Sequence, residues 1–479
     1  MITIELSLAE LRSKHLKSCL QFLDQQKLTE SSPNDQVGFD FQGLRKSYKD
    51  NPSHPEAKFI ARFGRIWIYD IALSIYADIK AGRIPEAGDQ VKRAMQLALR
   101  EEELGYQGLW HFSYNTQGDS FIDPRGPTGA NAWCLNAIYT FILTTGDVSV
   151  LRWANRMVQR YLFGQQVMDP KDPRYGLVRA GMYNASDFVD GNDGIGYRAY
   201  KGDLNHQYEH VILEHNADVA GTFRLAYRAI KQFAPQEKSL LDDLILRHDL
   251  LMQGMHRVFW QGDHFLSAVN EKGEFYRGTD GTPSIAVDNN TWSAHVFLPY
   301  DVPLARASIQ YVQNRFLTCT PQALVEDVPD GNIPHDLSGV FYFPATFSDP
   351  FVQVQEEHRP KMEQALHLEA TFGFILFLME AAAIVSDPAE RDRLQEQACR
   401  LYEHAVTLQM LYGPVEAPYA SVNVPSIFST LSSVTTAATG VVVAAVMGGV
   451  PNGNFIGVTP PAEFIVAGQS PKISAHASP

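Results

Sequence analysis

The chain has 479 residues, 45% of them hydrophobic, with 34 Gly and a formal charge of −14 from 40 basic and 54 acidic side chains. So apolar a composition excludes a largely disordered protein. The acidic balance, with no long Lys/Arg cluster, argues against nucleic acid or an anionic membrane as partner, because both need a concentrated basic surface.

The N-terminal stretch alternates charged and apolar residues with helical period and predicts a helix over 7–25. A secretory signal would need an unbroken apolar core there instead. The four cysteines, Cys19, Cys134, Cys319 and Cys399, are widely spaced and form no paired motif. A reducing, cytoplasmic setting is therefore expected.

A repeated pattern follows, in which a polar or aromatic knot opens into an apolar helix rich in small residues. It occurs as RIWIYDIALSIYADI at Arg65, GPTGANAWCLNAIYTFIL at Gly126, LEHNADVAGTFRLAY at Leu213, VDNNTWSAHVFL at Val287 and LEATFGFILFLMEAA at Leu368, with a weaker sixth copy from Val424. Helices apolar most of the way round are buried on several sides. Charged amphipathic helices alternate with them. The periodicity predicts inner helices at 61–80, 129–144, 214–232, 289–298, 363–385 and 425–447, and outer helices at 86–103, 148–165, 237–258, 302–316 and 388–410. With the helix at 7–25 as the twelfth, six hairpins close into an all-α (α/α)6 toroid, expected as a single domain over 1–479 with a C-terminal tail from 451. The apolar run within 429–450 is too short and too rich in Ser, Thr and Ala for a membrane span, which needs about 20 apolar residues.

Turns inside each hairpin are short, whereas the links 104–128, 166–213, 259–288 and 317–362 are long. All lie on the rim where inner helices begin, and long structured loops are usually functional. They are rich in Tyr, Asn, Asp and Gly, which suits the faces and hydroxyls of a sugar and equally suits an ordinary surface loop.

The order of these motifs over about residues 60–455 resembles bacterial glycoside-hydrolase-like (α/α)6 proteins, the six-hairpin glycosidase superfamily. The resemblance implies a cleft at the inner-helix N-termini and action on, or binding of, a saccharide. Proteins of this kind include inverting glucanases, unsaturated glucuronyl hydrolases, sugar epimerases, lyases and members with no known reaction, so it implies no single activity.

Glycoside hydrolysis needs two carboxyl groups, one acid and one base or nucleophile. The candidates on the rim are Asp70, Glu214, Asp218, Asp288 and Glu369. Glu214 and Glu369 form the expected catalytic pair, with structural alternatives as a helix-dipole partner for Glu214 and as a residue bonded to a neighbouring loop for Glu369. Trp67, Asp70, Trp110, Asn131, Trp133, His215, Asn216, Asp288, Asn289, Trp292 and His367 are the candidate sugar-binding residues. Asp288, Asn289 and Asn290 also read as an N-cap cluster, and the tryptophans as core. A rival class is an N-acylglucosamine-epimerase-like enzyme that moves a proton with His210, His215, His295 or His367; a third is a toroid that binds a saccharide or protein without catalysis. His206, Glu209 and His210 spell H-x-x-E-H, an inverted zinc-peptidase motif, but the segment before it reads as a loop rather than a helix. No metal or cofactor is expected, and the substrate is a small molecule or oligosaccharide.

Overall fold

The computed structural model describes residues 7–35, 37–51, 64–106, 110–116, 125–183, 185–189, 196–199, 206–278, 281–320, 322–342, 359–362, 364–423, 429–450 and 460–467. Six inner helices alternate with six outer ones. The inner set is α2 (Ile68–Lys80), α4 (Thr128–Thr145), α6 (Leu213–Phe233), α8 (Val287–Phe297), α10 (Leu368–Ile384) and α12 (Val434–Met447). The outer set is α1 (Leu8–Gln25), α3 (Ile84–Glu103), α5 (Leu151–Met157, a π-helical turn Val158–Leu162, then Phe163–Gln165), α7 (Lys238–Phe259), α9 (Val302–Arg315) and α11 (Pro388–Tyr412). Each inner helix packs on the next and α12 returns to α2, while α1 packs outside α12, so the ring is closed. The expected (α/α)6 toroid is the observed fold.

Inner-helix starts are where sequence and structure part. The first, fifth and sixth inner helices begin later than periodicity suggests, at Ile68, Leu368 and Val434. Residues 61–63, 363 and 425–428 of the expected spans lie outside the described residues. The stretches just before several of these helices are short strands or bridges, because the long links run across the rim and pair with them: Ile66–Trp67 with Ser113–Tyr114, Gly126–Pro127 with Gly181–Met182, and Val211–Ile212 with Ala268–Val269.

These pairings solve a problem at every inner helix. The first N–H groups of a helix have no partner within it, and α2, α4, α6 and α8 have no side-chain N-cap. The first N–H of each inner helix instead donates to a link carbonyl: Ile68 to Phe112 (3.1 Å), Thr128 to Ala180 (2.8 Å), Leu213 to Ser267 (2.8 Å), Val287 to Tyr342 (3.0 Å), Leu368 to Tyr419 (3.2 Å) and Val434 to Ser47 (2.8 Å). Two residues earlier in the link, the chain is latched to the following inner helix by its fourth residue. Asn131 grips both backbone groups of Trp110 (3.0 and 3.1 Å), Asn216 those of Val178 (2.7 and 3.1 Å) and Asn290 those of Phe265 (2.8 and 3.2 Å), while Thr371 Oγ1 accepts from the Val340 N–H (3.1 Å). Each such link therefore staples two successive inner helices on one rim.

The stretch 429–450 supplies α12, buried by α1, α2 and α10. No described helix is long and apolar enough to cross a membrane. Part of the tail docks: Phe464, in the short helix Ala462–Ala467, packs edge-on against Tyr227 (5.0 Å) and His248 (4.5 Å).

Replacing Asn290 by Ala should orphan the buried backbone groups of Phe265, at about 1–3 kcal/mol for each unpaired group. The expected outcome is a clear fall in thermal midpoint for Asn290→Ala beside an unchanged midpoint for Gln253→Ala, whose side chain is exposed and bonds Asp249 one turn away. Equal midpoints would remove the staple from the account of stability.

Candidate active site

Once the first residue of an inner helix is fixed to the rim, helical geometry decides what faces the axis. Side chains one turn apart share a face, so the second and sixth residues point inward together. The second residues are Tyr69, Gly129, Glu214, Asp288, Glu369 and Thr435; the sixth are Leu73, Trp133, Asp218, Trp292, Gly373 and Thr439. A cavity lies there, lined from the first layer by Tyr69, Glu214, Asp288 and Glu369 and from the second by Leu73, Trp133, Trp292, Gly373 and Thr439, with Tyr342 reaching in from a link.

Its walls are of two kinds. Trp133 and Trp292 stack at 4.8 Å and 18°, and Tyr69 tilts against Trp133 at 5.2 Å. Against these aromatics stand carboxyl groups. Asp288 accepts from the Tyr342 hydroxyl and from the Asn289 N–H at 2.8 Å. Glu214 hydrogen-bonds Asp288 and has the Tyr69 hydroxyl 3.5 Å from its Oε1. Asp218, a turn below Glu214, accepts from the Trp292 indole N–H at 2.9 Å. Asp70 accepts from the Thr435 hydroxyl and hydrogen-bonds Ser47.

Two effects compete for these protons. Placement in the first helical turn favours an anion by up to about 2 kcal/mol, whereas removing a charge from water costs several kcal/mol. Burial wins. Glu214 is raised well above the usual carboxylate range, first by burial and then by the charges of Asp288 and Asp218. Glu369 is raised to about 8 by burial, Asp70 and Asp288, with Tyr419 pulling the other way. Asp70 rises to about 6 through burial, against its hydroxyl partners. Asp218 also rises through burial, opposed by Trp292. Asp288 is raised too, by burial first, against the hydrogen bonds from Glu214 and Tyr342 and from backbone N–H groups. Asp288 thus collects hydrogen bonds that favour its charged form, whereas on Glu214 burial and neighbouring charge both favour the proton.

Of the sequence candidates, the structure brings Glu214, Asp288, Glu369, Trp133 and Trp292 onto one cavity. The others are placed elsewhere. Asp70, the third residue of α2, sits beside the cavity on Thr435. Trp67 precedes α2 and packs edge-on against Phe112 at 4.4 Å. Trp110 is buried, donates to the Ala94 carbonyl at 2.8 Å and packs on Trp153. Asn131 and Asn216 are rim latches, as is Asn290, rather than N-caps. Asn289 donates to Ser267 Oγ at 2.7 Å.

The histidines are also turned away. His367 caps α10 by accepting from the Ala370 N–H at 3.1 Å, and burial lowers it to about 3. His215 Nδ1 lies 3.1 Å from the Ala180 carbonyl, and burial, then His210, lowers it to about 3. His210 is lowered by burial to about 4 and His295, below Trp292, to about 3. The H-x-x-E-H motif opens in a strand, His206–Gln207, paired with Met182–Tyr183, so it presents no helical face; the His206 side chain lies outside the described residues. No group of His, Cys, Asp and Glu suited to a metal occurs among the described residues.

Tyr69, Gly373 and Thr439 are found by counting two and six residues from the observed starts of α2, α10 and α12, which the sequence pattern places several residues earlier. Tyr342 and Tyr419 carry no such signal, since they come from links.

Neither a protein-family model nor a curated protein matches the chain. Solved structures do. A D-mannose isomerase aligns over 90% of this chain and 96% of its own, with TM-score 0.57 at 9% identity. A cellobiose 2-epimerase from Bacillus thermoamylovorans B4167 aligns over 92% and 98%, with TM-score 0.57 at 10% identity. A glycosidase variant in complex with glucose aligns over 93% and 98%, with TM-score 0.51 at 12% identity. At such identities the likeness establishes the toroid fold alone.

Glu369 gives this site a signature in stability. Its folded value, about 8, lies above that of an unfolded Glu, so its contribution is complete at low pH and is lost as pH rises toward 8. Glu369→Gln carries no such loss. The variant should gain stability relative to the wild type between pH 5 and 8, by at most about 1.4 kcal/mol per pH unit. Paired thermal melts across that range measure it; a constant difference would mean Glu369 does not titrate there.

Proposed function

We propose that this protein is a carbohydrate-active enzyme, a glycoside hydrolase in which Glu214 is the general acid and Glu369 the base that activates water. One observation carries the reading: Glu214 is half-buried and bonded to Asp288 in a cavity walled by two stacked indoles, which favours a neutral carboxyl where an apolar sugar face would lie. That the structurally similar proteins include a glycosidase in complex with glucose supports it.

In this mechanism the glycosidic oxygen takes the Glu214 proton as its bond to the anomeric carbon breaks. Glu369, contributed by the helix two places further round the ring, removes a proton from the water that attacks that carbon, and the two protons rebalance after product leaves. Asp288, whose ionised form the Tyr342 hydroxyl and the Asn289 N–H support, opposes, when ionised, the positive charge that develops on the sugar ring. The Trp133 and Trp292 faces hold the ring by its C–H surfaces.

Two of the similar structures are an isomerase and an epimerase, so a histidine-based sugar epimerase is the second reading. Against it stand the ring nitrogens of His215 and His367, engaged with the Ala180 carbonyl and the Ala370 N–H.

Glu214→Gln and Glu369→Gln should each lower turnover on the order of 100-fold or more while leaving the fold intact, as judged by melting. In the wild type kcat/KM should rise as Glu369 ionises, with an apparent pKa near 8, and this limb should vanish in Glu369→Gln. Assays on gluco-, galacto- and uronate oligosaccharides, run in deuterium oxide, separate the readings. Uptake of carbon-bound deuterium without cleavage would favour the epimerase, and binding without either would leave a non-catalytic toroid.

A further inference from the structure

The second layer of the cavity is lopsided. Trp133 and Trp292 close one side of it, while Leu73, Gly373 and Thr439 form the rest. Gly373 is the sixth residue of α10, one turn below Glu369 on the same face. A glycine inside a helix is destabilising relative to alanine, so its presence needs a reason.

Packing supplies that reason at other inner-helix glycines. A Cβ on Gly129 would lie 2.4 Å from the His215 ring, and one on Gly440 would lie 3.0 Å from both Cys19 Sγ and His15 Nε2. At Gly373 a Cβ would meet no described atom within 4 Å, and the residue has ordinary helical backbone. Neither neighbours nor backbone conformation require glycine there.

We infer that the missing side chain is a specificity device: the notch at Gly373, beneath Glu369, receives the uncharged exocyclic group of a neutral hexose. The inference rests on the saccharide reading above and names its substrate class. Leu73, Leu376 and Ala370 give the cavity around the notch an apolar lining and Thr439 adds a hydroxyl to it, which suits a hydroxymethyl group. Among the described residues that line the cavity are Glu214, Asp288 and Glu369 but no Lys, Arg or His, so a sugar carboxylate or phosphate placed there finds no cation to pair with.

Calorimetric titration with methyl hexosides, the matching methyl pentosides and the matching methyl uronides, on wild type, Gly373→Ala and Gly373→Leu, tests this. The wild type should bind hexosides in preference to uronides. Gly373→Ala should melt no lower than the wild type, because its methyl enters open space, yet bind hexosides about 10-fold more weakly, the discrimination one methyl group provides. Its pentoside affinity should stay within about 2-fold, and Gly373→Leu should lose hexoside binding altogether. A lower melting point for Gly373→Ala would show that the space is filled in the fold, and undiminished hexoside binding by that variant would remove the notch while leaving the saccharide reading standing. Tighter binding of uronides than hexosides by the wild type would overturn the neutral class. Wild type that binds no sugar of the three series would overturn the saccharide reading, and the notch with it.

Discussion

The structure depends on how six buried helices satisfy the backbone donors at their starts. A helix that begins at the centre of a protein exposes N–H groups to a place where water is scarce, and leaving them unpaired is costly. Here the first N–H of every inner helix finds a carbonyl in a link that crosses the rim, and in four of the links a fourth-position Asn or Thr holds the same strand from the neighbouring helix. This explains why the long connections gather on one rim. It also sets the rotation of each helix about its axis, which in turn selects the residues that face the cavity.

From that rotation the electrostatics follow. Three of the six second positions are acidic, and Asp218 and Asp70 stand close behind them. Helix N-termini would normally welcome the charges, yet burial in company with one another outweighs the dipole and leaves protons on most of them. Asp288 differs because a tyrosine hydroxyl, a backbone N–H and Glu214 all point at it. Two neighbouring carboxyl groups are thereby given different surroundings, one rich in hydrogen-bond donors and the other held by burial and like charge.

The same fold is shared with a D-mannose isomerase and a cellobiose 2-epimerase, and a fold does not specify a reaction. In this chain the polar groups are divided between structure and cavity. His367 caps a helix, His215 meets a backbone carbonyl and the asparagines hold links, so the cavity is left to carboxyls, aromatic faces and a glycine.

The sequence alone determined the twelve helices and their alternation, because buried and half-buried helices differ in how many faces are apolar, and that difference survives in local composition. It also identified Glu214, Asp288, Glu369, Trp133 and Trp292, each within the first two turns of an inner helix. It could not separate these from Asn131, Asn216 or His367, polar residues two positions away on the same helix starts, or from Trp110, an aromatic in a link. A shift of two positions along a helix turns a side chain from the axis to a neighbour, and that rotation is set by hydrogen bonds to links distant in sequence. The late starts at Ile68, Leu368 and Val434 have a similar origin, since the residues before them can pair with strands or continue a helix until the links arrive. The contributions of Tyr342 and Tyr419 were decided wholly by tertiary structure, because nothing local says where the middle of a long loop will cross the rim.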